Sequence, residues 1–347
     1  MLIQEQTGRA LPRFVADPTP VIKLPPGRVL GPVTGLAIAP DGHIWVMHIA
    51  SMPEFLPPEA HANAASLMPP ILEFDANGKF LQAWGGPDHL PRIDGKPQWP
   101  KQEETISIDS EGTLWVFGAN KEYDHAVQRF TRDGKLLLRI GEFGVVGNDE
   151  SRDHLGCPTD AYHDVSRREV YITDGYVNHR VVVFNSDTGQ FLRAWGAYGK
   201  TGPFPESGGE TFNNPVHAIS LGPEGHLYIC DRKNDRIQVF DAIGRTDARF
   251  VREIEIKAES PFGSTFNVAF SPGGDFMFVA DGSNSRLWIV DCKAWQVVGS
   301  FLGPNSEGIG LNGTIHKIAT DGAGNLLLGR TIRGVEMMRF QGVRAAN

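Results

Sequence analysis

The sequence predicts an all-β fold, a six-bladed β-propeller whose ring is closed by an N-terminal strand. Short apolar runs alternate with turn residues along the 347 residues, which include 40 glycines and 24 prolines, and this pattern indicates many short strands. A unit of about 50 residues recurs with four strand-like segments in each copy, which is typical of a propeller. The last copy runs short and offers no fourth strand of its own.

The repeat is clearest in its third, fourth and fifth copies. Their second and third strands read VYITDGYVNHRVVVF, LYICDRKNDRIQVF and MFVADGSNSRLWIV, over residues 170–184, 227–240 and 277–290. Each copy places an aspartate before a polar turn and an arginine after it, and we expect this series to tie the blades together. The pairs are Asp174 and Arg180, Asp231 and Arg236, and Asp281 and Arg286.

Each copy begins with a strand that should lie next to the axis of the ring. One equivalent position in each copy, which precedes segments such as TISIDSEG, AISLGPEG and KIATDGAG, identifies the axis residues. They are Thr34, Glu104, Asp160, His217, Phe266 and His316. Long segments between strands, at about 52–70, 86–101 and 199–213, are expected to cap one face of the disc.

We expect a single domain over residues 1–347, with an N-terminal extension at about 1–18 and the blades at about 19–342. The last copy should borrow its fourth strand from the N-terminal segment, near Val21 to Leu24. Such closure pairs strand edges that would otherwise be exposed.

Three metal-binding side chains occupy alternate axis positions: Glu104 the second, His217 the fourth and His316 the sixth. Alternate positions on a six-membered ring form a triangle, so these side chains can converge on one cation. Two histidines and a glutamate with an open position form a known catalytic zinc set, and the same residue types form the facial triad of Fe(II). We therefore predict a divalent metal site, with zinc first and iron as the alternative. The other interpretation is that these residues line a watery channel.

The third axis residue, Asp160, is interpreted differently. Its expected role is structural, in accepting hydrogen bonds from backbone amides of neighbouring loops, with a role as a metal ligand as the alternative.

The Asp-turn-Asn-x-Arg units resemble NHL repeats. Residues 157–184, CPTDAYHDVSRREVYITDGYVNHRVVVF, look like one blade of the peptidyl-α-hydroxyglycine α-amidating lyases, in which the Pro-Thr-Asp and Asp-Gly-Tyr-x-Asn-x-Arg elements recur with this spacing. The next blade, PVHAISLGPEGHLYICDRKNDRIQVF, is similar to that family's following histidine-containing blade. The resemblance covers most of residues 30–330 and is strongest over about 155–245.

This resemblance implies roles for particular residues. In that family three histidines from alternate blades hold a catalytic zinc, and His217 and His316 match two of them, while Glu104 stands at the position of the first. Tyr176 matches the catalytic tyrosine, and Arg232 matches one of the active-site arginines. A phenol beside a cation has a lowered pKa and can exchange protons with substrate, and an arginine can bind an anionic group.

The chain also departs from the family's pattern. The second active-site arginine is expected just after His48, where this chain has Ile49. An acidic calcium ligand follows the last zinc histidine in the family, and Lys317 stands there, so we expect the calcium site to be lost. His48 ends a second strand and is a candidate proton shuttle, with a place in the channel wall as the other interpretation.

The sequence therefore predicts a metal-dependent lyase-like enzyme that acts on a small hydroxylated substrate of the carbinolamine type. A metallohydrolase acting on an ester or lactone fits the same residues, and an Fe(II) oxygenase is a more distant alternative. A non-catalytic NHL scaffold that binds a protein is the alternative from another class. The sequence contains no Gly-x-Ser-x-Gly, phosphate loop, dinucleotide fingerprint or His-Glu-x-x-His motif.

Composition limits the partners. The formal net charge of -8 argues against nucleic acid, and the absence of an apolar run of about 18 residues argues against a membrane span. No charged segment followed by an apolar one is visible at the N-terminus, so we expect a cytoplasmic protein, with a trimmed secreted form as the alternative. The three cysteines show no paired spacing and fit buried thiols in a reducing compartment. A small-molecule substrate is the expected partner, and a protein partner stays open.

Overall fold

The computed structural model describes residues 4–5, 10–202, 210–256, 260–304, 314–332 and 334–344. It confirms the predicted propeller, because six antiparallel sheets of four strands form six blades, one of which carries a short fifth strand. The innermost strand of each blade contacts the innermost strands of both neighbours, and the sixth contacts the first. The blades therefore form a closed ring around a central axis.

The strands fall into four layers from the axis outwards, and the blades are numbered one to six in the order given for each layer. The innermost strands are β3 (Val33–Ile38), β7 (Glu103–Ile108), β11 (Asp160–Asp164), β15 (Val216–Leu221), β19 (Thr265–Phe270) and β23 (Ile315–Thr320). The second strands are β4 (Ile44–His48), β8 (Leu114–Gly118), β12 (Glu169–Asp174), β16 (Leu227–Asp231), β20 (Phe276–Asp281) and β24 (Leu326–Arg330). The third strands are β5 (Ile71–Phe74), β9 (Ala126–Phe130), β13 (Arg180–Asn185), β17 (Arg236–Asp241), β21 (Arg286–Asp291) and β25 (Gly334–Arg344). The outer strands are β6 (Phe80–Trp84), β10 (Leu136–Gly141), β14 (Phe191–Trp195), β18 (Arg249–Glu255), β22 (Gln296–Leu302) and β2 (Leu11–Asp17).

Helical structure is sparse among the described residues. The segment between β4 and β5 holds the short helix α1 (Pro58–Ala62), and the remaining helical turns are of the 3-10 type. These turns are Pro53–Phe55, Ala64–Ser66, Val165–Arg167, Ala197–Gly199 and Arg232–Asn234. In the part of the chain that the structure describes, no helix is long and apolar enough to cross a bilayer.

An N-terminal strand closes the ring, as predicted, but its predicted position near Val21 to Leu24 was wrong. The closing strand is β2 (Leu11–Asp17), which pairs antiparallel with β25 in blade six. It lies within the segment that the sequence analysis took for an extension. A second short strand, β1 (Gln4–Glu5), pairs with the outer edge of β22 in blade five.

The burial of apolar side chains explains why β2 is the closing strand. Leu11 and Phe14 are buried, and the Phe14 ring stacks on Phe301 with a centroid separation of 5.3 Å. Val21 is instead buried in the apolar cluster between blades one and six, and Lys23 forms an isolated bridge with Lys79. Burial of large apolar side chains drives such docking, so the segment with the aromatic anchor occupies the strand edge.

The core consists of interfaces between blades. Among the described residues, six large apolar clusters each combine side chains from two neighbouring blades. Both faces of each sheet are thus covered, which is why most strands contain consecutive buried residues. The three cysteines are free and buried, as predicted for thiols without a disulfide framework.

The innermost strands carry a bulge at the axis position. The pairing between the first and second strands of five blades skips one residue, namely Thr34, Glu104, His217, Phe266 or His316. A β-bulge bends the strand and changes the direction of a side chain, so these five residues differ from the regular alternation of their strands.

The sequence analysis placed the third axis position at Asp160, which is one residue too late. Asp160 pairs regularly with Thr173, so it corresponds to Lys317, which pairs with Gly329 just after the bulge of blade six. The residue equivalent to Thr34 is Thr159: its hydroxyl donates to Val216 O at 2.6 Å, as the Thr34 hydroxyl donates to Glu103 O at 3.2 Å.

Candidate metal centre

The metal triad, defined as Glu104, His217 and His316, lies at the hub of the ring. Each residue is the second of its innermost strand, in β7, β15 and β23, and all three are buried. Because these strands belong to alternate blades, the three side chains approach the axis from three directions. Their ligand atoms all lie within 4.8 Å of one another.

The distances within the triad fit a common cation. Glu104 Oε1 lies 3.4 Å from His217 Nε2 and 3.2 Å from His316 Nε2. Two atoms that each bind a tetrahedral zinc at about 2.1 Å are separated by about 3.4 Å. The carboxylate and the two imidazoles therefore already have the spacing of ligands.

Backbone carbonyls orient both imidazoles. His217 Nδ1 lies 2.6 Å from Phe266 O, and His316 Nδ1 lies 2.7 Å from Thr34 O. A carbonyl oxygen can only accept a hydrogen bond, so Nδ1 carries a hydrogen in each ring, and in the neutral imidazole Nε2 then has the lone pair that a metal needs. Metal-binding histidines are commonly held in this way, and here both Nε2 atoms face Glu104.

The protonation states also suit a cation. Burial lowers the pKa of His217 to about 4, so its imidazole is neutral at neutral pH. Burial alone would raise the pKa of Glu104, but His316 and His217 outweigh burial and hold the pKa well below the usual range. An anionic oxygen and two imidazole nitrogens form a donor set that zinc and ferrous iron both accept. The triad can therefore hold a divalent metal.

Tyr176 lies directly against the triad. It belongs to the turn between β12 and β13, and its hydroxyl donates to Glu104 Oε1 at 2.6 Å and lies 3.5 Å from His217 Nε2. Burial and the charge of Glu104 raise the pKa of Tyr176 well above its usual value, and the opposing effect of Arg232 is smaller. The lowered pKa that the sequence analysis expected is therefore absent from the metal-free arrangement.

Arg232 lies beside the same site, in the turn between β16 and β17. Its guanidinium carbon is 3.9 Å from the centroid of the Phe266 ring, and its Nε donates to Phe262 O at 3.0 Å. Burial lowers its pKa, while Tyr176 and Glu104 oppose that shift. Within the described part of the chain, no carboxylate lies within 4.0 Å of this guanidinium, so its charge is available to a ligand.

Phe266, the fifth axis residue, packs between the histidines. Its ring centroid is 5.1 Å from that of His217 and 5.9 Å from that of His316. It also carries Arg232 on its face and supplies the carbonyl that orients His217. The sequence analysis identified its position at the axis but gave it no part in the site, because an apolar ring offers no ligand atom.

His48 lies apart from the triad in its described contacts. Gly31 N donates to His48 Nδ1 at 3.0 Å, and His48 Nε2 lies 3.2 Å from Pro69 O. Burial lowers its pKa to about 4. These contacts fit a neutral imidazole that joins backbone segments of blade one, and a part for His48 in the reaction stays a prediction.

Asp160 and Lys317 form an ion pair across the hub, with Lys317 Nζ 2.5 Å from Asp160 Oδ2. They lie one residue past the axis position of blades three and six, which face each other. Both line a cavity of about 160 Å³ to which all six innermost strands contribute residues. The sequence analysis expected Asp160 to accept hydrogen bonds from loop amides and did not predict its ion pair with Lys317.

Two aspartates of the repeat, Asp174 and Asp231, hold the segments that lead into their innermost strands. Asp231 Oδ2 accepts from Arg236 Nε at 2.6 Å, and Asp231 Oδ1 accepts from Asn213 N at 2.8 Å. Blade two has Gly118 at the equivalent position, and the Asp124 carboxylate fills the space that a side chain there would occupy. Asp124 accepts from the backbone nitrogens of Lys101 and Gln102 at 2.8 and 3.1 Å, shortly before Glu104.

Comparisons with known proteins support the repeat and the propeller fold. The NHL repeat family matches residues 212–240, which hold β15, β16 and most of β17. The mouse protein "Peptidyl-glycine alpha-amidating monooxygenase" is 34% identical over 180 residues, which cover 51% of this chain and 17% of that protein. The chain therefore spans a minor part of that relative's length.

Two further relatives are matched over more of their length. The Caenorhabditis elegans protein "Probable peptidyl-alpha-hydroxyglycine alpha-amidating lyase pgal-1" is 23% identical over 252 residues, or 70% of this chain and 65% of that protein. Mouse "NHL repeat-containing protein 3" is 28% identical over 234 residues, or 64% of this chain and 58% of that protein. The chain is thus similar to proteins named as amidating lyases and to a protein named only for its repeats.

A solved structure supports the fold. Virginiamycin B lyase from Staphylococcus aureus superimposes with a TM-score of 0.52 over 91% of this chain and 86% of that one. Sequence identity is 14%, so this likeness concerns the propeller and carries nothing about the reaction.

Proposed function

We propose that this protein is a metal-dependent lyase that cleaves a small carbinolamine. The observation that carries the proposal is the hub itself, where Glu104 Oε1 lies within 3.4 Å of both histidine Nε2 atoms and accepts the Tyr176 hydroxyl at 2.6 Å. The amidating-lyase names among the relatives support the reaction class.

An N-acyl-α-hydroxyglycine represents the proposed substrate class. Its reacting carbon carries a hydroxyl, an amide nitrogen and a carboxylate. The hydroxyl loses its proton, its oxygen forms a carbonyl with the carbon, and the carbon–nitrogen bond breaks with its electron pair going to nitrogen. Nitrogen then gains one proton, so the products are a primary amide and glyoxylate. Atoms and electrons balance without added water, oxidant or reductant.

The chain's residues divide the work. A divalent metal held by the triad would lower the pKa of a hydroxyl group bound to it. Tyr176 Oη, which holds a proton beside the triad, gives that proton to the departing nitrogen and takes the one released by the substrate hydroxyl. Arg232 binds the substrate's carboxylate through a charge-assisted hydrogen bond.

Product analysis tests the proposal. Zinc-loaded protein incubated with an N-acyl-α-hydroxyglycine should release primary amide and glyoxylate in equal amounts. Tyr176→Phe should keep its metal but lose about 100-fold or more in kcat, because the proton carrier is gone. Tyr162→Phe, which changes a half-buried tyrosine of β11, is the matched control and should keep full activity.

Two outcomes would overturn the proposal. Full activity of Tyr176→Phe would remove the phenol from the reaction. Hydrolysis of esters or lactones with no amide released from any carbinolamine would assign the same residues to a metallohydrolase.

A further inference from the structure

Three turns at the hub face form a row around Tyr176. They join the second and third strands of blades two, three and four, and each offers one polar side chain. The turn row consists of Lys121, Tyr176 and Arg232. Lys121 Nζ lies 5.8 Å from the centroid of the Tyr176 ring, and Arg232 is close enough to affect the pKa of the same phenol. The phenol therefore stands between two cations.

The turn that carries Lys121 is firmly anchored. Tyr123 N and Asp124 N both donate to Asn120 O, at 3.0 and 2.8 Å, and Glu122 N donates to Asn120 Oδ1 at 3.2 Å. The Tyr123 hydroxyl donates to Pro97 O at 2.6 Å. Hydrogen bonds thus hold the backbone on both sides of Lys121, and the side chain extends from an ordered turn.

Lys121 has no carboxylate partner among the described residues. It is exposed, and none of the carboxylates that the structure describes lies within 4.0 Å of its ammonium group. Arg232 likewise has no carboxylate partner in that part of the chain. Two cations beside one phenol, neither with a carboxylate partner in the described part of the chain, are arranged for a ligand that brings its own negative charge.

We infer that Lys121 is a substrate-binding residue that holds the substrate's carboxylate together with Arg232. The inference rests on the proposed function and adds a second residue, Lys121 from blade two, to the binding of the substrate's carboxylate. One carboxylate oxygen is bound by Arg232 and the other by Lys121. Ile49, which follows the buried His48, is itself buried and uncharged, so the second cation comes from blade two rather than from blade one.

Because Lys121 is exposed, its expected contribution to substrate binding is small. An exposed ion pair contributes at most about 1 kcal/mol, which corresponds to about a fivefold change in an equilibrium constant. Loss of Lys121 should therefore raise KM about fivefold and leave kcat within about twofold, since the group binds a part of the substrate that does not react. The effect should diminish as salt is added.

Steady-state kinetics with a charged and an uncharged substrate test the inference. Lys121→Met should raise KM for an N-acyl-α-hydroxyglycine and leave the KM of its methyl ester unchanged, while Lys121→Arg should keep the wild-type values. Lys135→Met, which removes an exposed lysine from the outer turn between β9 and β10, is the matched control and should change neither. Equal effects of Lys121→Met on the acid and the ester, or no effect on either, would overturn the inference.

A binding measurement separates this inference from the proposed function. An N-acylglycine lacks the reacting hydroxyl but keeps the carboxylate, so calorimetry with zinc-loaded protein reports binding without turnover. If wild type turns over no carbinolamine but binds the N-acylglycine about fivefold more tightly than Lys121→Met does, the lyase proposal fails and the role of Lys121 stands. If both proteins bind it equally, the role of Lys121 is wrong whatever the reaction.

Discussion

The two histidines of the metal triad owe their orientation to backbone carbonyls. Phe266 O and Thr34 O each hold one Nδ1–H group, so the ring nitrogen that faces the hub keeps its lone pair. Both carbonyls belong to the axis residue of the following innermost strand, β19 or β3. The fold that brings the ligands together therefore also selects their tautomer.

The protonation of Tyr176 shows what the sequence leaves undetermined at this scale. Its place in the Asp-Gly-Tyr turn was sufficient to predict that it belongs to the site. The direction of its pKa shift depends on burial and on the 2.6 Å hydrogen bond to Glu104, and neither can be predicted from the sequence. Arg232 does lower the pKa of Tyr176, as expected of a neighbouring cation, but burial and Glu104 raise it by more.

Buried histidine makes stability depend on pH, and His48 allows a test. Its pKa of about 4 in the folded protein lies below the ordinary value of 6.5, so the unfolded chain takes up the proton first as the pH falls. Stability is therefore fully present above pH 6.5 and is lost from pH 6.5 down to pH 4, at up to about 1.4 kcal/mol per pH unit. The free energy of unfolding can be measured by denaturant unfolding at several pH values between 4 and 6.5. Its decrease per pH unit should be smaller in His48→Gln than in wild type by this amount.

The control for this experiment removes an exposed histidine from the loop between β4 and β5. His61→Gln should show the wild-type slope over the same range. A slope for His48→Gln equal to that of wild type would mean that the imidazole is not held neutral in blade one.

At the scale of elements, the bulges of the innermost strands decide which residue meets the axis. Repetition alone predicted five of the axis residues, because each precedes a strand of similar pattern. It assigned Asp160 in blade three, where the pairing of Asp160 with Thr173 makes Thr159 the equivalent residue. A one-residue shift reverses the face of a side chain, and no local feature of the segment CPTDAYHDV reveals the register.

The turns after the second strands connect the repeat motif with the site. The Asp-turn-Asn-x-Arg pattern was predicted to tie blades together, but the described partners of Asp231 lie within blade four and the segment that leads into it. Its carboxylate binds Arg236 and the backbone nitrogen of Asn213, which fixes the segment that enters β15 just before His217. A residue that looks purely structural in sequence thereby positions a metal ligand.

Removal of this carboxylate should affect both stability and the site. Asp231 is fully buried and Arg236 nearly so, and Glu253 still pairs with Arg236 at 3.1 Å after the change. Asp231→Ala removes the acceptor of the buried Arg236 Nε and of Asn213 N, and should lower the free energy of unfolding by about 2 to 3 kcal/mol. Asp241→Ala is the control, because Asp241 pairs with Arg245 at 3.4 Å in a partly exposed position and should cost at most about 1 kcal/mol. Equal losses in urea denaturation would contradict the anchoring role.

At the scale of the whole molecule, the sequence predicted that an N-terminal strand closes the ring but not which segment forms that strand. The short last copy implied that an N-terminal strand completes blade six, and β2 does so. The choice between Leu11–Asp17 and the apolar segment at Val21 to Leu24 depends on which side chains fit the edge of β25. Phe14 stacks on Phe301 of the neighbouring blade, and such long-range packing is absent from any local pattern.

Opposite blades are also joined through the hub. The Asp160–Lys317 ion pair connects blades three and six at 2.5 Å, and Lys317 directly follows the triad residue His316 on β23. It links blade three across the centre of the ring to blade six, which contains His316, the closing strand β2 and the last strand β25. Closure by β2 at the rim and this ion pair at the axis therefore hold the same blade from two sides.

The metal content of the purified protein tests the central claim most directly. Elemental analysis after incubation with zinc or ferrous iron and removal of free ions should find about one ion per chain in wild type. Glu104→Ala and His217→Ala should lose it. His226→Ala, which changes a partly exposed histidine of the same blade, should retain it. A wild-type protein that holds no metal, or a metal that remains in His217→Ala, would contradict the account.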